Sequence, residues 1–347
     1  MFIGRSFSWK AVLQFSGFHA LWLTVWGACC VAVYVFTGAG WMALPWLPVS
    51  LVGTAVAFYV GFKNNSSYDR MWEARKIWGA IVNDSRAYGS TSRHYITALF
   101  SKEKLGDREL HTIHTRILHR HIAWLYMLRE QLLVPAPWEH MHEDTNVHIR
   151  RVNVRRIKTF GLGVLDDRSF ADEMKLLLPQ EEWNTLQQKG NKATHLLDNQ
   201  SKELKELRKL DLIDDFRHME LQNIINRLYE HQGKCERIKN YPLPRQYAGS
   251  SNIFVSIFII LLPFGMLGEF NKMGEGMIWL TIPFVTIVGW VFLMMELIGD
   301  YSENPFEGLG NDIPMMSLCR NIEIDLREML GEQDLPSKVQ AVNQVLM

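Results

Sequence analysis

The chain has 347 residues, enough for two regions of different character. Lys plus Arg and Asp plus Glu balance at 37 each, so bulk charge points to neither nucleic acid nor an acidic partner. Hydrophobic residues make up 48% and charged residues 21%, an ordinary average that hides segregation. Apolar residues crowd into 1–62 and 251–298, while 63–250 is heavily charged.

In chain order, Arg5 and Lys10 precede an apolar run that is too long for the core of a signal peptide, and no A-x-A site follows it. The run reads as a retained membrane helix. Four segments reach the length that a bilayer demands, at roughly 12–37, 43–62, 251–269 and 276–298. The first carries Gln14 and His19, which predicts one protein-packed face. The second opens at Pro45 and Pro48. The third and fourth contain Pro263 and Pro283, which membrane helices tolerate where neighbours re-satisfy the freed carbonyl. Lys63, Arg70, Arg75, Lys76 and Arg86 follow the second segment, and Lys239 and Arg245 precede the third. The positive-inside rule therefore predicts a multi-pass protein with both termini and the middle region in the cytoplasm. The divisions are 1–62 with two spans, 63–250 as a cytosolic helical region, 251–298 with two more spans, and 299–347 as a cytosolic C-terminal segment.

The second span sorts into rows at helical spacing. Gly53, Ala57 and Gly61 form a row of small residues that suits close approach of a neighbouring helix. Val52, Val56 and Val60 form an aliphatic row that suits lipid. Thr54, Phe58 and Phe62 form the third row, which we read as facing the axis of an oligomer and forming a hydrophobic constriction. Ordinary packing between helices is the plainer reading of Phe58 and Phe62.

The middle region is helical in pattern. Helices are predicted over 65–100, 108–134 (broken by Pro135 and Pro137), 170–178, 181–210 and 214–232, and nothing reads as an alternating strand. Arg150 to Lys158 is a basic patch, read as a solvated face or an inner-leaflet contact. Little order is expected after Glu332 beyond a turn or two of helix over 339–346.

Chemistry is sparsely signalled. There is no phosphate-binding loop, no dinucleotide fingerprint and no H-E-x-x-H. Cys29, Cys30, Cys235 and Cys319 lack ligand spacing and read as free buried thiols. His111, His114, His119 and His121 read as a polar helix face, and His140 and His142 beside Glu139, Glu143 and Asp144 as a second polar knot; a metal is only weakly signalled at either. Glu296 closes the last span, either as a functional or paired group at membrane depth or as an interfacial carboxylate. No enzyme, cofactor or metal site is called for.

Three stretches together resemble the bestrophin family of ion channels, in its bacterial branch: GFKNNSSYDRMWEARKIWG at 61–79, HQGKCERIKNYPLPRQYA at 231–248 and MELIGDYSENPFEGLGNDIPM at 295–315. The motif residues near the membrane junction are Asn64, Asn65, Tyr68, Arg70, Glu73, Glu296, Asn304, Pro305 and Phe306. The resemblance spans about 8–330. It implies an all-α integral membrane protein, with four membrane helices and a large cytosolic helical region, assembled as a homopentamer around a central pore in a bacterial inner membrane. By position it assigns the family's pore neck to Thr54, Phe58 and Phe62, with Thr54 departing from the usual larger apolar residue. It places the cytosolic exit constriction at Phe216, with Ile213 or Leu212 as alternatives. The calcium clasp of eukaryotic relatives lacks its run of aspartates here, since Asn304-Pro305-Phe306 is followed only by Glu307 and then Asp312.

The expected function is passive flow of monovalent ions, anions such as chloride slightly favoured. A cation channel of the same family is the alternative. A membrane enzyme lacks converging acid and base groups, and a secondary transporter lacks an inverted repeat.

Overall fold

The computed structural model describes all residues except 7–8, 100, 102–104, 161–166 and 275. Gln14, the residues Arg156 to Lys158 of the basic patch and Glu275 fall on side chains or positions outside that description. Helices dominate: α1 (Trp9–Thr37), α2 (Trp46–Tyr95), α3 (Asp107–Leu133), α4 (Val147–Phe160), α5 (Asp167–Leu177), α6 (Gln180–Gln187), α7 (Lys192–Lys209), α8 (Asp215–Asn240), α9 (Arg245–Lys272), α10 (Thr281–Asp300) and α11 (Met315–Leu330). Among the described residues there is no strand, only isolated bridges.

The chain forms two compact units, one from 4–71 and 242–304, the other from 1–3, 72–241 and 305–347. These boundaries differ from the hydropathy boundaries at 62, 250 and 298, because α2 and α9 run straight through the first two. No proline or glycine pair interrupts α2 where its composition changes. Ser66 stays in the helix with its hydroxyl bonded back to the Phe62 carbonyl at 3.1 Å.

The first unit holds four segments long and apolar enough to span a bilayer, within Phe15–Thr37, Gly40–Tyr95, Arg245–Lys272 and Met277–Asp300. The protein is a multi-pass membrane protein. Leu23 of α1, Val49, Val56 and Val60 of α2, Phe258 of α9 and Val285 of α10 lie in one apolar cluster. Trp22 of α1 donates to the Nδ1 atom of His19 at 3.4 Å. Trp290 of α10 donates to the Ser16 hydroxyl of α1 at 3.0 Å, so α1 does carry a protein-packed side. Pro263 is interior to α9, whereas Pro283 lies in the first turn of α10, where its missing N–H breaks no helical bond.

In the second unit α3 is the central helix, packed by α5, α7, α8 and α11. The predicted helix over 181–210 is two helices. The break falls at Gly190, and Asn191 caps α7 by accepting from the Thr194 N–H at 3.0 Å. The basic helix α4 presents exposed Arg150, Arg151 and Arg155. The tail after Glu332 forms no further helix; Val345 instead bridges to Phe2. Cys29 is exposed and Cys30, Cys235 and Cys319 are buried, all as free thiols, so the expected burial fails for Cys29, which sits on the outward side of α1.

Candidate functional site

Along the membrane half of α2 one stripe is buried: Val49, Gly53, Val56, Val60, Lys63 and Ser67. Their spacing alternates three and four residues, which keeps a stripe straight at 3.6 residues per turn. A strict four-residue row instead drifts by about 40° per step at about 100° per residue. That drift separates residues that simple row reading joins.

Val52, Val56 and Val60 stay together on the core side and are not a lipid face. Val56 and Val60 are buried in the apolar cluster with α9 and α10, and Val52 is half-buried against it. The small-residue row splits with the drift. Gly53 is buried under Phe258, where an added Cβ would lie 2.6 Å from a ring carbon. Ala57 is half-buried, and Gly61 is exposed with open space around it.

Thr54, Phe58 and Phe62 all lie on the side of α2 opposite the buried stripe. Phe58 is 67% and Phe62 61% exposed. The Thr54 hydroxyl donates to the Ser50 carbonyl at 3.0 Å, so its one donor is used within the helix.

Each ring is followed by an anchored residue. Tyr59, next to Phe58, donates its hydroxyl to the Tyr247 carbonyl at 3.2 Å and stacks on the Tyr247 ring at 5.1 Å. It also meets Phe254 edge-on at 5.1 Å. Lys63, next to Phe62, is ion-paired to Glu296 of α10, and Ser251 of α9 donates to the other carboxylate oxygen. Lys63 is 1% and Glu296 6% exposed. Glu296 is thus a buried, paired group. Asn64 donates to the Met295 carbonyl at 3.0 Å. A Cβ at Gly299 would lie 2.1 Å from the Asn64 Oδ1 atom, so any larger residue there would displace the Asn64 side chain.

The remaining motif residues are dispersed. Asn65 donates to Asp69 at 3.3 Å on the surface, and Tyr68 is exposed. Arg70 is half-buried, and Glu73 is ion-paired to Arg237. Asn304, Pro305 and Phe306 are buried. Glu303, which sequence reasoning overlooked, is buried and held by Arg245 at 3.0 Å. Burial pushes its carboxyl above the usual range, and Arg245 opposes that push.

Of the three exit candidates, Leu212 and Ile213 are fully buried, and Phe216 is 87% exposed on the first turn of α8. The Asp214 side chain caps that turn by accepting from the Arg217 N–H at 2.9 Å. Hydropathy could not separate these apolar neighbours; the cap position could have placed Phe216 at the outset of a helix.

The histidines of α3 go to separate partners. The Nε2 atom of His114 lies 3.0 Å from the Ile96 carbonyl, and that of His119 2.7 Å from Glu332. His121 is fully buried between Tyr88 and Trp124, and desolvation lowers its pKa to about 3. His140 pairs with Glu307 at 2.9 Å, and Asp312 accepts from the Leu309 N–H at 2.9 Å. No group of three metal-ligating side chains assembles among the described residues.

Comparison with known proteins gives a consistent picture. The family model for the Bacterial/Fungal Bestrophin protein matches residues 7–328. The voltage-dependent anion channel-forming protein YneE of Escherichia coli is 27% identical over 318 residues, covering 88% of this chain and 87% of the relative. Its counterpart in Salmonella typhi is 26% identical over 292 residues, covering 84% and 79%. A crystal structure of a bacterial bestrophin homolog from Klebsiella pneumoniae superposes with a TM-score of 0.71 at 23% identity, covering 91% of this chain and 99% of that one.

Proposed function

Because the chain belongs to the bacterial and fungal bestrophin family, we propose that five copies surround a shared axis and conduct monovalent ions passively across a bacterial inner membrane, anions such as chloride slightly favoured. The observation that carries this reading is the outward row of α2. Thr54, Phe58 and Phe62 are exposed while the opposite stripe is the subunit's own core. Large apolar rings left without a partner in their own chain need cover from lipid or from further copies, and the family places this row at a neck. The anion-channel names of the curated relatives support the preferred sign.

The neck acts by dewetting. A narrow apolar tube expels water, and an ion entering it loses hydration that nothing in the wall replaces. Phe58 and Phe62 supply the apolar wall, and Thr54 adds a ring whose donor is already used. Ring edges carry partial positive charge and favour an anion that meets them, whereas ring faces favour cations. Lys63 does not bias the sign, because Glu296 neutralises it inside the subunit. Phe216, exposed where Leu212 and Ile213 are buried, is assigned to the exit constriction. Both termini lie in the cytoplasm in this reading, on the strength of the basic residues that flank the spans. In this reading the channel uses no cofactor or metal.

Single-channel recording in planar bilayers tests the reading. Phe58→Ala and Phe62→Ala should each raise unitary conductance or open probability several-fold. Currents unchanged by both substitutions would move the row off the axis. Reversal potentials under a salt gradient give the sign, and a cation-selective value would assign the cation alternative.

A further inference from the structure

The buried stripe of α2 is apolar or small through Val49, Gly53, Val56 and Val60, and then contains a lysine. A charge buried next to a membrane core is costly unless it is paired and hydrogen-bonded. Here both conditions are met across three helices: Lys63 of α2, Glu296 of α10 and Ser251 of α9, all fully or nearly fully buried. Apolar contacts tolerate sliding and rotation, because one aliphatic surface substitutes for another. An ion pair does not. Turning α2 by the roughly 100° that separates neighbouring residues would withdraw Lys63 from its carboxylate. It would also carry Phe62 from the outward side toward the core. The Asn64 contact to the Met295 carbonyl, beside the close approach at Gly299, reinforces the same rotational setting one residue later.

We propose that Lys63 and Glu296, with Ser251, form a positioning lock that sets the rotation of α2 and so controls how Phe62 and Phe58 are presented at the neck. This rests on the pore reading above. The lock regulates how often the neck is open, not what passes once it is open. Lys63 and Glu296 are positioning residues and touch no permeating ion. The other charged groups close to the lock are Glu303, whose carboxyl feels Lys63, together with its partner Arg245 and neighbouring Asp300. They stay in place in every variant below.

The test is a set of variants recorded in planar bilayers beside Phe58→Ala. Lys63→Met combined with Glu296→Met removes both charges while keeping bulk, an exchange that buried ion pairs commonly tolerate. It should change open probability at least tenfold and leave unitary conductance and reversal potential within twofold of the parent. Lys63→Arg keeps the charge and should retain the parental open probability. Lys63→Glu combined with Glu296→Lys restores opposite charges and should recover it at least in part. An unchanged open probability in the double Met protein, with Phe58→Ala still raising current, overturns the lock and leaves the pore standing. Failure of Phe58→Ala and Phe62→Ala to alter current overturns the pore reading itself. If the double Met protein does not assemble, Lys63→Gln decides. Reduced assembly with unaltered open probability in the surviving channels means a merely structural pair and also overturns the proposal.

Discussion

The two compact units bury polar groups in different ways. The membrane unit has an apolar core cluster, into which a charge enters at the Lys63–Glu296 pair. The second unit threads polar networks through its core. Lys239 bonds both oxygens of Glu139 at 2.6 and 2.7 Å, and Arg120 grips Glu182 with two bonds and Glu203 with a third. Trp124 donates to Gln232 at 3.0 Å and Tyr126 to Glu323 at 2.6 Å. In water, burial of apolar surface drives collapse, and polar networks then select one packing among many. In lipid, apolar contact gives little drive, so close steric fit and local polar contacts such as the Lys63–Glu296 pair carry the selection.

The contrast can be broken most forcefully at its charged end. Lys239→Ala leaves the Glu139 carboxylate buried without its cation and should cost about 3–5 kcal/mol of stability, read as a large fall in the thermal midpoint of the purified protein. A loss below about 1 kcal/mol would mean that solvent reaches the pair and that the second unit does not bury this charge.

Steric fit in the membrane unit is the next test. Gly53→Ala forces a Cβ against Phe258 and should cost about 1–3 kcal/mol by overpacking. Gly61→Ala, on the same four-residue row but with nothing within 4 Å, should instead stabilise a single subunit by about 0.5–1 kcal/mol through helix propensity. Equal effects at the two positions would refute the drift of the row from core to surface.

The smallest expected effect is the pH response of the second unit. His121 has its pKa lowered to about 3 in the folded chain, chiefly by burial. Below the unfolded value of 6.5 the unfolded chain takes a proton that the folded chain refuses, so stability falls as pH drops. The loss should be about 1.4 kcal/mol between pH 8 and pH 5.5. His121→Phe should flatten that part of the profile. A slope unchanged by the substitution would assign the acid response to other groups.

Much of the fold was legible along the chain. Span lengths, the charged middle region and most helices follow from composition and period, which are local properties. The outward row was legible too, since Thr54, Phe58 and Phe62 share a side at four-residue spacing. The valine row was misread because four-residue spacing says which residues share a side, not which side packs against other helices; this row falls in phase with the buried stripe. Alternating three- and four-residue steps would have placed Val56 and Val60 with Val49 and Lys63. The pairing of Lys63 with Glu296 had only half a signal: a lysine in phase with a buried stripe announces a partner without naming it.

Sequence alone determined that this protein carries four segments long and apolar enough to cross a membrane, where most of its helices run and that aromatic rings line one side of the second span, because hydropathy and helical period belong to each segment by itself. Tertiary structure decided which side of α2 is core, that Phe216 rather than Leu212 or Ile213 reaches the surface, and which carboxylate neutralises Lys63. Those are relations between segments as much as 233 residues apart, and a side chain's burial or charge partner exists only once another helix has been packed against it.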